Sequence, residues 1–146
     1  MLMGSDFEIT IVDNDQANAE NMINLAIEEI SRIEKLISSW DKNSQTSLIN
    51  INAGVKPVKI DVELFELISR SIKVSNLSQG AFDISYASMD KVWYFDRKMT
   101  EFPSIEKIKK SVSKIGYKNI VLNKKDTTVF LRLKGMKIGF GAIGKG

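Results

Sequence analysis

Between residues 18 and 37, Met22, Ala26, Ile30, Ile33 and Ile37 recur every three or four positions, while Glu28, Glu29, Arg32 and Lys35 fall among the positions opposite. That period places the apolar set on one face of a long helix, and a face of that kind is stable only when packed against a core. Residues 7–12 (FEITIV) alternate instead with a period of two, which predicts a strand ended by the turn-forming Asp13-Asn14-Asp15. Two periods in one short chain point to a mixed architecture of helices and strands.

The rest of the chain continues the mixture. Asp61 suits the N-cap of a second helix reaching about Ser78, with Glu63 in its first turn and Leu64, Leu67, Ile68 and Val74 available to the core. Gly80 ends it. Pro103-Ser104 opens a third helix capped by Ser104 and stopped near Gly116, in which Ile105, Ile108, Val112 and Ile115 form the apolar flank. Strands are expected at 119–122 and 128–133 around the turn Asn123-Lys124-Lys125-Asp126, with a further strand at 136–140. Residues 38–54 are polar, rich in Ser and Asn, and longer than a plain connector, the kind of loop that often carries function. Neither an internal repeat nor a low-complexity linker interrupts the pattern, and 146 residues are enough for one core rather than two. The fold class is α+β.

Composition removes whole classes of chemistry. The chain contains no His and no Cys, so it cannot by itself build an imidazole base, a Ser-His or Cys-His pair, a zinc site or an iron–sulfur site. A metal held here would need oxygen ligands, which favours magnesium or calcium. The net charge is only +3, and its lysines gather between Lys107 and Lys125. Lys107, Lys109, Lys110 and Lys114 read as the solvated face of the third helix, and no aromatic residues interleave with them to stack on bases, so nucleic acid is not the expected partner. No run approaches the roughly 18 apolar residues of a membrane span, and charge by Asp6 and Glu8 is unlike a signal peptide.

The chain's last residues, Gly139-Phe140-Gly141-Ala142-Ile143-Gly144-Lys145-Gly146, form a glycine-rich run. It fits Gly-x-Gly-x-x-Gly through Gly139, Gly141 and Gly144. It also approaches the P-loop pattern through Gly139, Gly144 and Lys145, with Gly146 where a P-loop carries a hydroxyl. A third reading is a tight turn that lets elements pack closely. Taken alone, the run leaves all three open.

Its company narrows the choice. Leu2-Met3-Gly4-Ser5, Ser38-Ser39-Trp40-Asp41 with Ser47-Leu48-Ile49-Asn50 beyond it, Gly80-Ala81-Phe82-Asp83 and Gly141 to Gly146 occur in an order and at spacings that resemble the ApbE family of flavin transferases, once labelled thiamine-biosynthesis lipoproteins. The resemblance spans nearly the whole chain and looks like the N-terminal portion of a single flavin-transferase domain (residues 1–146). It implies an ApbE-like (T-fold-like) antiparallel sheet with packed helices, incomplete over this stretch. The implied activity is Mg2+-dependent FAD:protein FMN transfer, attaching FMN through a phosphoester to a Ser or Thr of a flavin-acceptor protein with release of AMP, and weak or absent in this portion alone. Alternatives are an FAD-binding or FAD-hydrolysing protein of the same family, or an unrelated nucleotide-binding domain with a degenerate P-loop. Family members are exported to the periplasm or cell envelope, commonly through a lipid anchor that would lie outside this chain.

Carried over position by position, the resemblance implies FAD contacts at Met3, Trp40, Ala81, Phe82, Asp83 and Lys145, and a Mg2+ ligand at the backbone carbonyl of Ala142. The residue types suit these roles, since an aromatic ring stacks on a flavin or adenine, a lysine neutralises diphosphate oxygens, and glycines let backbone amides approach phosphate. Many members carry an acidic residue where this chain has Gly139, so that side-chain contact is absent and Gly139 is not among the expected site residues.

Overall fold

A computed structural model describes residues 6–94, 98–99 and 101–143. The stripe predicted from residue 18 onward forms helix α1 (Gln16–Ile37), begun by the Asp15 carboxylate, which accepts from the Ala17 and Asn18 N–H groups. Only Leu36 of α1 is fully buried, and Met22 stays exposed, so the stripe is covered mainly toward its C-terminal end. Helix α2 (Gln45–Ile51) lies in the stretch expected to be irregular. Its sequence, QTSLINI, has weak helix propensity, but Ser44 caps it, the Thr46 hydroxyl donates to the Leu36 carbonyl at 2.7 Å, and Ile49 is buried. Capping and burial outweigh propensity there.

Helix α3 (Val62–Leu77) begins at Asp61 as predicted, and its buried face is Leu64, Phe65, Ile68, Ser71 and Ser75; Val74 is exposed. It ends in a Schellman turn, with Gln79 N–H bonded to the Asn76 carbonyl (3.2 Å) and Gly80 N–H to that of Ser75 (2.8 Å). Gly80 adopts φ +89°, a conformation that glycine takes without cost. Helix α4 (Ile105–Val112) is capped by Ser104 as expected, yet Ile105 and Val112 of its apolar flank are exposed and Ser111 is the buried residue.

Strands β1 (Val58–Lys59), β2 (Ile120–Asn123) and β3 (Thr128–Leu131) make one antiparallel sheet in the order β1-β3-β2. β2 and β3 form the predicted hairpin, in register Ile120 with Leu131 and Asn123 with Thr128, and the Asn123 side chain accepts from the Lys125 and Asp126 N–H groups in the turn. β1 is too short for alternation to announce it. Val58, Ile120, Val129 and Leu131 join Ile49, Leu64, Ile68, Ile84, Met136, Ile138 and Phe140 in a single core.

Two expected strands do not form among the described residues. Residues 7–12 leave Ile9 and Ile11 half-buried in the anticipated alternation, but they pair with no strand among the described residues. Residues 136–140 run through the core outside any sheet. Lys137 and Ile138 bond side chains instead: Ile138 N–H to Asn50 Oδ1 (2.8 Å), Asn50 Nδ2 to the Ile138 carbonyl (3.0 Å), Lys137 N–H to Ser88 Oγ (2.8 Å) and Ser88 Oγ to the Lys137 carbonyl (2.8 Å). Gly139 N–H bonds the Ile84 carbonyl at 2.9 Å. The N–H groups of Lys137, Ile138 and Gly139 are thus satisfied without a partner strand.

Candidate functional site

A groove of about 980 Å³ opens between the α1–α2 connection, α2, and the segment 137–141, near the top of the range for ligand sites, roughly 300–1,000 Å³. The connection is tightly wound. Ser38 Oγ accepts from the N–H groups of Trp40 (3.2 Å) and Asp41 (3.1 Å), Asp41 Oδ1 accepts from Asn43 N–H (2.9 Å), and Ser44 Oγ donates to the Ser38 carbonyl. This serine-rich winding presents Trp40 on the groove wall with 93% of its surface exposed. An indole so displayed contributes nothing to the core and is available to stack.

The opposite wall is the glycine run. Lys137 to Gly141 line the groove, and the backbone then turns over Gly141 and Ala142, closed by Ile143 N–H on the Phe140 carbonyl at 3.0 Å. Asn50 lines the groove and anchors that wall through its paired bonds to Ile138. Lys42 and Lys137 supply positive charge, with Glu34 on the rim of α1. The arrangement offers one exposed aromatic face, cations and a glycine backbone, a combination suited to a planar ring carrying phosphate.

Ala81, Phe82 and Asp83 do not line this groove. Ala81 is exposed, and Phe82 is half-buried against the core. Asp83 caps the short 3-10 helix Ile84–Ser88: Oδ1 accepts from Ser85 N–H (2.8 Å) and Ser85 Oγ (2.6 Å), and Oδ2 accepts from Tyr117 N–H (2.8 Å). Ser85 Oγ in turn accepts from Gly116 N–H at 2.8 Å. The carboxylate therefore fixes the turn that carries Tyr86 and Ala87 into the groove. Met3 and Lys145 lie outside the described residues. Ala142 sits in the turn that ends the glycine wall. Among the described residues no group of three or more His, Cys, Asp or Glu comes together to hold a metal ion, so the Ala142 carbonyl has no carboxylate cage beside it.

Asn50 and Ser47 are visible in the sequence only as part of a motif, and Tyr86, Lys42 and Lys137 give no signal there. The close approach of Tyr86 to the glycine run is set by the fold and has no local pattern.

Comparison with known proteins places the sequence and the fold in one family. The sequence model of the ApbE family matches residues 3–146. The FAD:protein FMN transferase of Buchnera aphidicola subsp. Schizaphis graminum is 31% identical over 99% of this chain and 43% of its own length. That of Klebsiella pneumoniae is 28% identical over 100% of this chain and 45% of its length. Among solved structures, the ApbE protein of Thermotoga maritima superposes with a TM-score of 0.76 at 28% identity, covering 92% of this chain and 43% of that one. The flavin transferase ApbE of Vibrio cholerae, in its H257G mutant, superposes at 0.77 with 15% identity over 92% of this chain and 46% of its own, a likeness of fold. The chain spans a little under half the length of these relatives. With its motifs, its α+β fold and a family match from end to end, the chain belongs to the ApbE family.

Proposed function

We propose that the groove between Trp40 and the glycine run receives FAD, and that the protein transfers FMN from it to a hydroxyl of an acceptor protein. The observation that carries this reading is the meeting of an exposed indole, two lysines and a glycine backbone across one groove of dinucleotide size, in a chain whose relatives bear the name FAD:protein FMN transferase. Trp40 stacks on a ring of the ligand, Lys42 and Lys137 offset diphosphate charge, and the Gly139–Gly141 backbone admits phosphate oxygens.

In the reaction, the oxygen of an acceptor Ser or Thr bonds the flavin-side phosphorus, the bridging P–O bond breaks, AMP departs with the bridging oxygen, and the hydroxyl proton is released. Such a transfer asks for positioning and charge neutralisation rather than a nucleophile of the enzyme, which suits a chain without His or Cys. Mg2+ belongs to this reading, with the Ala142 carbonyl as one ligand, but one carbonyl is no cage. The roles of the groove residues do not depend on the metal. Export to the periplasm or cell envelope is part of the same proposal and is checked by fractionating the native protein.

Incubating the natural full-length protein with FAD, Mg2+ and a flavin-acceptor domain tests the reading. AMP release together with flavin covalently held by the acceptor is expected. Tight FAD binding with neither product would leave a flavin-binding protein instead, and retention of ATP in preference to FAD would point to a different nucleotide site. Trp40→Ala is expected to weaken FAD binding by about 1 kcal/mol, the scale of an aromatic stacking pair, measured by quenching of flavin fluorescence.

A further inference from the structure

Tyr86 is held by its backbone at both ends: its N–H donates to the Asp83 carbonyl (3.1 Å), and its carbonyl accepts from Met89 N–H (3.0 Å). The Asp83 cap and the paired bonds of Ser88 to Lys137 fix the turn on either side. Tyr86 is 45% exposed and lines the groove, and its hydroxyl has no hydrogen-bond partner among the described residues. That hydroxyl lies against the glycine run. A Cβ on Gly141 would stand 2.9 Å from Tyr86 Oη, and one on Gly139 would stand 3.7 Å from it and 3.1 Å from the Ala87 Cβ. At the first distance one of the two must shift, while the second is ordinary contact, so it is the bare Gly141 backbone that lets the phenol rest there undisplaced.

Resting on the flavin reading above, we infer that Tyr86 is a ligand-positioning residue whose hydroxyl donates a hydrogen bond to a phosphate oxygen of the bound dinucleotide. The hydroxyl stands over the bare backbone where phosphate has closest access, and Lys137 enters the groove from the same segment, so an anionic acceptor is matched in both charge and hydrogen bonding. A donor pre-set by the turn loses little freedom on binding, which favours affinity. The glycine at 141 serves the hydroxyl as much as the ligand.

FAD titration of the full-length protein, its Y86F and G141A variants and the double variant tests this, with circular dichroism to confirm folding. Because a hydrogen bond to a charged group is worth one to two powers of ten in affinity, Y86F should weaken FAD binding about tenfold or more. G141A should weaken it in the wild-type background and markedly less beside Y86F, where the clashing oxygen is gone. The 31P resonances of bound FAD should shift in Y86F. Folded Y86F with wild-type affinity overturns the proposal, as does an equal loss from G141A in both backgrounds. Weaker binding with unmoved 31P resonances overturns the phosphate assignment. Failure of the wild-type protein to bind FAD at all would instead strike the flavin reading itself.

Discussion

Asp83, an expected cofactor contact, turns its oxygens to Ser85 and Tyr117 within the chain. A carboxylate that accepts two backbone N–H groups and a hydroxyl organises its neighbourhood, here the turn bearing Tyr86. In Asp83→Asn one acceptor becomes an NH2 group facing a donor, so we expect a loss of about 1–3 kcal/mol of stability, read from urea denaturation. FAD affinity should fall with it, through the displaced turn. Trp40 stands out in the sequence because it follows a recognisable pair of serines, and the fold leaves it exposed rather than in the core. Tyr86 does not, since a single tyrosine carries no pattern and only the fold brings it to Gly141.

At the scale of elements, the capped helices are readable and the unpaired segments are not. Asp61 and Ser104 start α3 and α4 as read, because an N-cap is a local hydrogen bond written into adjacent residues. The region 136–140 has strand-like residues, yet whether such a run joins a sheet depends on what lies beside it, and here Asn50 and Ser88 are its neighbours. Asn50→Ala removes both of the Asn50 bonds to Ile138 and leaves buried backbone groups unmet, an expected cost of about 1–3 kcal/mol by thermal or urea unfolding. Gly54 marks a second junction. Its N–H bonds the Leu131 carbonyl at 2.8 Å, its φ is +74°, and a Cβ would come within 2.7 Å of the Lys134 backbone. Gly54→Ala should therefore destabilise the docking of α2 on β3 by about 1–3 kcal/mol, measured the same way.

Across the whole molecule, Arg32 joins α1 to α3, with its guanidinium bonded to Glu29 on its own helix (2.7 Å) and to Glu63 on the other (2.7 Å). The hydrogen bonds from Arg32 hold the Glu29 carboxyl below its ordinary value of 4.5. A lowered carboxylate pKa contributes stability that is present above that ordinary value and lost as the pH falls through the lowered one. Melting temperatures from pH 7 downward should thus show an acid-side loss that Arg32→Ala reduces, and added salt should shrink the difference because the pair is exposed. The α+β class follows from the helical periodicity and from the hairpin around the turn at 123–126, not from the alternation of residues 7–12, and the family follows from motifs scattered along the chain. The groove does not, because its walls come from stretches far apart in sequence. The side-chain clasp on residues 137–139 has a last consequence, for amide hydrogen exchange and for association. Lys137, Ile138 and Gly139 join no sheet among the described residues, yet their N–H groups are engaged by Ser88, Asn50 and the Ile84 carbonyl, so they should exchange with solvent as slowly as a strand's. The same engagement denies this apolar stretch to a foreign strand that would otherwise zip onto it, and Asn50→Ala should raise aggregation as well as exchange.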